Sequence, residues 1–215
     1  MNGVFVTGTG TEVGKTVVAG VLARNARQQG LDVSVFKPAV SGLCEGGPAD
    51  HEQLRRAAGS SQTDDEIAPY RFQPAVSPHL AAEMAGEPID IARLRQGLAA
   101  ARGAARFLVC EGVGGFLVPL LPDYLIRDFA RDCGLPVVVV ATPGLGTINH
   151  ALLTIESVRA AGLEVMAVVL TPWPRRPGAL ELSNRETIER LGEVEVRTLG
   201  PINLAEPDSW PPLSL

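Results

Sequence analysis

An ammonium and a hydroxyl stand side by side at Lys15 and Thr16, directly after Gly8-Thr9-Gly10-Thr11-Glu12-Val13-Gly14. Residues of these types in this spacing suit a polyphosphate. Small residues let successive backbone N–H groups turn toward an oxyanion, a helix N-terminus near Gly14 adds partial positive charge, and Lys15 reaches the outer phosphates. The Thr16 hydroxyl would then sit on Mg²⁺. The first glycine slot of the strict G-x-x-x-x-G-K-[ST] pattern falls on Thr9, with Gly8 and Gly10 on either side. The plain alternative is a glycine-rich turn followed by a surface lysine. The strand-length run Val4-Phe5-Val6 before it and the helix-like run from Val17 to Ala23 after it favour a phosphate-binding loop. A second cation, Lys37, ends another apolar run. A carboxylate, Glu111, ends a third and is followed by Gly112, Gly114 and Gly115, as in a Walker-B-like magnesium site.

The elements that must position these groups follow from periodicity and punctuation. A helix is predicted over 14–29, stopped at Gly30, and a strand over 32–36. Pro38 bars further pairing, so Lys37 and Ser41 emerge at the strand's C-terminal end, the edge at which open α/β sheets bind ligands. A glycine- and proline-rich loop leads to a short helix over 50–57 with Asp50 at its N-cap; capping alone and a ligand role are both open for Asp50. The chain is polar and turn-rich over 60–74. A helix with Pro78 in its first turn begins at Ser77, and an amphipathic helix over 91–101 presents Leu94, Leu98 and Ala101. There follow a strand over 106–110, a helix over 123–133 and a strand over 135–141, apolar on both faces as a central parallel strand must be. A loop over 142–147, a helix over 149–161, a strand over 165–170, a helix over 178–191 and a strand over 195–199 complete the order. This alternation predicts one α/β domain over 1–215, a doubly wound, mostly parallel sheet with helices on both faces, the P-loop NTPase fold.

Composition bounds the function. The 215 residues are 46% hydrophobic, enough for one well-buried core. The net charge of −5 argues against a nucleic-acid partner. Three cysteines, Cys44, Cys110 and Cys133, have no C-x-x-C spacing, so neither a disulfide framework nor a zinc cluster is expected, and a reducing cytoplasm is the simplest setting. No apolar run approaches the ~18 residues of a membrane span, and no leader is expected. The proline-rich stretch 207–215 reads as an ordered arm or a frayed end.

Five ordered blocks resemble dethiobiotin synthetase: Gly8 to Thr16, Lys37-Pro38-x-x-Ser41-Gly42, Ser77-Pro78-His79-x-Ala81-Ala82, Glu111-Gly112-x-Gly114-Gly115 and Leu145-Gly146-Thr147-Ile148-Asn149-His150. Together they span most of the chain. The resemblance implies an ATP- and Mg²⁺-dependent ligase of biotin synthesis: a 7,8-diaminopelargonate amine captures CO₂ as a carbamate, ATP phosphorylates it, and the second amine closes the ureido ring. The contrasting reading is a regulatory P-loop ATPase of the partitioning or septum-positioning type. Those carry an additional lysine early in the loop and often a basic element, neither of which this sequence has.

The resemblance assigns Lys15 and Lys37 to catalysis, and Thr16, Asp50 and Glu111 to Mg²⁺. It assigns Glu12, Val13, Gly14, Lys15, Thr16, Val17, Asp50, Glu111, Gly112, Gly114, Thr171, Ile202 and Asn203 to the nucleotide. Thr11, Ser41 and Pro78 would meet the diamine substrate. Gly146, Thr147 and Asn149 would receive its carboxylate across a homodimer interface. His79 is expected to shape the substrate pocket, His150 to pack near the interface, His51 to be a solvated helix residue, and the cysteines and Trp173 to pack. Thr171-Pro172 departs from the Asn-Asp with which many members read adenine, so a relaxed or different base preference, with other nucleoside triphosphates accepted, is expected. In the later block Gly200-Pro201-Ile202-Asn203, Asn203 would supply some polar contact. Gly10, acidic in some members, would change only loop stiffness.

Overall fold

The computed structural model describes residues 2–204, 206 and 209–213. Its frame is a sheet of six strands, β1 (Asn2–Gly8), β2 (Val33–Phe36), β3 (Phe107–Glu111), β6 (Val137–Ala141), β7 (Val165–Leu170) and β8 (Val196–Thr198). They lie in the order β2-β3-β1-β6-β7-β8, every pairing parallel. Between β3 and β6 lies a small antiparallel pair, β4 (Pro119–Leu121) and β5 (Tyr124–Leu125).

Parallel pairing forces each connection across a face of the sheet, and the helices supply it. They are α1 (Lys15–Gln28), α2 (Asp50–Ala58), α3 (Asp64–Ile67), α4 (Pro78–Ala85), α5 (Ile91–Ala104), α6 (Ile126–Cys133), α7 (Thr147–Ala160) and α8 (Ala179–Gly192). The strand alternation divides the core in two. Phe5, Phe36, Val137 and Val139 point to the face covered by α4 to α8, whereas Val4, Val6, Val35, Val138 and Val140 point to the face covered by α1 to α3. With helices on both faces, β6 has no polar side and reads as Val-Val-Val-Val-Ala.

Three expected elements are displaced. The helix expected over 123–133 begins only at Ile126, because Leu117 to Leu125 fold into the hairpin of β4 and β5; strands of three and two residues are too short to show a period. The turn-rich stretch 60–74 contains α3, started by a capping box in which the Thr63 hydroxyl accepts from the Glu66 amide and the Glu66 carboxylate accepts from the Thr63 amide. The helix expected to start at Asn149 starts at Thr147, after Gly146 at φ 91°. The second core also takes in Trp210 and Leu213, so the described part of the C-terminal stretch is an ordered arm; Pro207, Asp208, Ser214 and Leu215 lie outside the described residues. His51 is buried on the packed side of α2, not solvated, and Cys44 is exposed, not packed.

Phe129 of α6 is fully buried and meets both Phe5 and Phe36, with ring centroids 6.2 and 5.9 Å away. Phe129→Ala is expected to cost about 3–5 kcal/mol through lost burial and the cavity left behind. In urea unfolding this appears as a lower midpoint at unchanged m-value.

Candidate active site

The site lies at the C-terminal edge of the sheet, where β1, β2 and β3 end side by side. Their register puts it there: Val6 pairs with Glu111, the last residue of β3, and Phe36, the last of β2, pairs with Cys110. Thus the loop after β1, Lys37 after β2 and Glu111 open into one cleft of about 370 Å³.

The loop 9–14 is held tightly against the sheet. The Thr9 amide donates to the Val140 carbonyl at 2.9 Å. Gly14 has φ +94°, and a Cβ there would lie 2.7 Å from Cγ2 of Thr171, so both conformation and space require glycine. Glu12 also has a left-handed φ of 59°, a conformation costly for a residue with a side chain and typical of ligand-gripping loops. Lys15 begins α1, and its Nζ donates to the Gly10 carbonyl at 2.7 Å.

At the floor of the cleft the Lys37 ammonium donates to Oδ2 of Asp50 and Oε1 of Glu111, each at 2.5 Å. The Thr16 hydroxyl donates to the same Glu111 oxygen at 2.9 Å. Lys37 is 2% exposed and Glu111 wholly buried. Burial alone would pull the Lys37 pKa down, but Glu111 and Asp50 outweigh it and hold the ammonium charged well above the usual lysine range. The Lys37 cation in turn lowers the Asp50 pKa. Burial pushes the Glu111 carboxyl up against the pull of Lys37. Lys15 behaves oppositely to Lys37: burial first, then the neighbouring Lys37 charge, lower it to about 8.

Asp50 is the first residue of α2 and not its cap; Ala49 occupies that place, and its amide donates to the Glu52 carboxylate at 3.2 Å. Freed from capping, the Asp50 carboxylate turns into the cleft. Oε2 of Glu111 is buried without a hydrogen-bond partner. The two carboxylates, one with this orphaned oxygen, and the Thr16 hydroxyl form an all-oxygen donor set, which fits Mg²⁺.

The family model described as an AAA domain matches residues 2–206. An ATP-dependent dethiobiotin synthetase BioD of Anaeromyxobacter dehalogenans (strain 2CP-C) is 45% identical over 79% of this chain and 76% of its own length. One of Bacillus cereus (strain B4264) is 38% identical over 96% of this chain and 86% of its own. The chain belongs to the dethiobiotin synthetase family. A solved MinC:MinD cell division protein complex of Aquifex aeolicus shares the fold alone, with TM-score 0.59 at 13% identity, over 93% of this chain and 81% of that one.

Of the residues that resemblance to dethiobiotin synthetase singles out, Thr11, Glu12, Gly14, Lys15, Thr16, Val17, Lys37, Ser41, Asp50, Glu111 and Gly114 all line the cleft. Others do not. Val13 folds back on Gly8, where a Cβ would lie 2.6 Å from its Cγ2, and Gly112 packs against Ile126 and Phe5. Pro78 is buried at the start of α4. Thr171 is buried beneath Gly14, and its methyl forms the loop's seat. Ile202 packs on the second core. Gly146, Thr147 and Asn149 stand at the start of α7, outside the cleft, with Asn149 exposed. His79 lines a different cavity with Leu120, Leu121 and Pro122.

Sequence reasoning missed the cleft's outer wall. The glycine- and proline-rich loop from Leu43 to Ala49 lines it, as do Gln53, one turn beyond Asp50, and Leu204 near the C-terminus. Gly46 and Gly47, both at positive φ, were a legible turn signal, but nothing in the sequence said which surface the turn covers.

The Lys15 shift sets a pH limit. Its pKa in the folded protein is about 8, lowered from 10.5, so it carries its charge below pH 8 and loses it as pH rises through that value. A triphosphate bound beside it would restore the charge. In metal-free solution nucleotide affinity is therefore expected to weaken above pH 8, with net proton uptake on binding. Calorimetry at one pH in buffers of different ionisation enthalpy reads that uptake.

Proposed function

We propose that this chain is a dethiobiotin synthetase working as one α/β domain: it joins 7,8-diaminopelargonate and CO₂ at the expense of ATP. The observation that carries the reading is the buried Lys37 ammonium, held by Asp50 and Glu111 a few ångströms from the phosphate loop.

The chemistry asks little of protein nucleophiles. One substrate amine attacks CO₂ and loses a proton, giving a carbamate. A carbamate oxygen attacks the γ-phosphorus, and ADP leaves. The second amine then attacks the carbamoyl carbon, closes the ring and expels phosphate. The protein's part is to align two anions and hold charge in a place that excludes water. Lys15 and the loop amides bind the outer phosphates. Lys37 would neutralise charge shared between carbamate and γ-phosphate. Thr11 and Ser41, both lining the cleft, would hydrogen-bond the carbamate or diamine. Thr16, Asp50 and Glu111 would hold Mg²⁺, which neutralises phosphate charge when bound.

The start of α7 lies outside this chain's own cleft, and Leu145 beside it is 91% exposed. We read this as the surface on which a second copy docks, with the exposed Gly146 backbone and Asn149 side chain offered to the partner's substrate carboxylate; Thr147, expected to join them, is 3% exposed and keeps its side chain inside. No helix among the described residues is long and apolar enough to cross a membrane. A reducing cytoplasm suits the buried thiols of Cys110 and Cys133, which lie 3.7 Å apart.

Phosphate release from Mg-ATP tests the reading. Release is expected to require both diamine and bicarbonate. In Lys37→Ala it should fall by about 10²–10³, the usual consequence of removing one preorganised charge-stabilising donor. Release indifferent to the diamine would leave only an ATPase. A further expectation concerns the base. Thr171 is buried under the loop and presents no side-chain amide, so GTP, CTP and UTP should support turnover within about tenfold of ATP, since strong rejection needs a polar group built to pair with the base. A larger preference for ATP overturns that part alone.

A further inference from the structure

α1 has a glycine in its middle, Gly20, where it costs about 1 kcal/mol relative to alanine. The indole of Trp210 occupies the space: a Cβ on Gly20 would lie 2.9 Å from its Cζ3. One turn further along α1, Nη1 of Arg24 donates to the Trp210 carbonyl at 2.7 Å, and Nδ2 of Asn25 donates to the Leu213 carbonyl at 2.9 Å. The described part of the arm thus follows α1 from its phosphate-loop end toward its far end.

The upper end of that arm reaches the cleft. Nε1 of Trp210 donates to the Asn203 carbonyl at 2.7 Å, and the next residue, Leu204, lines the cleft together with Val17 of the first helical turn. Residues 200–204 belong to no strand or helix, so this piece of wall is held from behind. Trp210, 4% exposed and clamped between Gly20 and Asn203, holds it together with Ile202, packed on the second core, and the Glu206 amide, which donates to the same Asn203 carbonyl at 3.2 Å.

We propose that Trp210 is a positioning residue for the nucleotide: by pinning Asn203 to α1 it sets Leu204 as the wall against which the nucleoside lies where it leaves the phosphate loop. The inference rests on the reading of loop 9–16 as the nucleotide site. Two variants of the full chain test it. Trp210→Phe keeps an aromatic ring but removes the Nε1–H donor and the part of the indole that reaches Gly20, and Leu204→Ala removes the 37%-exposed wall itself. Each is expected to raise the Kd and KM for Mg-ATP about five- to tenfold, the effect of losing one hydrogen bond or one apolar contact. The kcat and the diamine KM should stay within about twofold, and the double variant should be no worse than Trp210→Phe alone because both act on one wall. Nucleotide affinity unchanged in Leu204→Ala overturns the proposal, as does a Trp210→Phe protein that loses only thermal stability. A wild-type chain that binds no Mg-ATP would instead sink the nucleotide reading beneath it.

Discussion

The structure turns on one buried cation. Lys37 is removed from water at the end of β2, a placement that costs several kcal/mol unless opposite charges compensate it. Two carboxylates do so, each 2.5 Å away, and they come from elements distant in sequence: Glu111 from the end of β3 and Asp50 from the first turn of α2. Thr16 joins α1 to the same oxygen of Glu111. Four segments are thereby tied at one point. Each loses a partner for a buried charge if it moves, so the ends of β2 and β3 and the starts of α1 and α2 hold one another in place. The interaction also makes an asymmetric pair of lysines. Lys37 is fixed in the charged state, whereas Lys15, lacking a carboxylate of its own, is left easier to discharge until an anion arrives.

That knot needs a rigid base, which the parallel sheet provides. β1 lies between β3 and β6, and the amides just beyond it continue the ladder: Gly112 donates to the Val6 carbonyl and Thr9 to that of Val140. The phosphate loop therefore starts from the middle of the sheet and not from an edge. Close approach does the rest. Gly8 and Gly14 leave no room for side chains against Val13, Lys15 and Thr171. Thr171 thus has a structural task, supporting the loop, that a base-reading amide at that position would not perform in the same way.

The two faces of the sheet divide the labour. The face under α1 to α3 carries the phosphate loop's helix, the Asp50 helix and the C-terminal arm. The opposite face carries α4 to α8 and, on α7, an exposed surface that contributes nothing to this chain's own cleft. The outer wall of the cleft is made by the loop before α2 and by Leu204.

The sequence by itself determined most of the long elements and the residue types of the phosphate-loop chemistry. Runs of four to six apolar residues, glycines after helices and the Gly-Lys-Thr at 14–16 are local signals, because strand pleat, helix period and backbone freedom act over a few residues. Lys15, Thr16, Lys37 and Glu111 could be picked out for that reason. Tertiary structure alone decided what lies beside what. Asp50 could not be separated from an ordinary cap until Ala49 was seen to take that position. His51 could not be known to be buried until α2 was packed. The hairpin of β4 and β5 was too short to have a period. Trp210 and Leu204 gave no sign of a link to a loop nearly two hundred residues earlier. Those relations depend on parallel register and on which face each helix covers, and both are set by burial summed over the whole chain, which no window of local sequence contains.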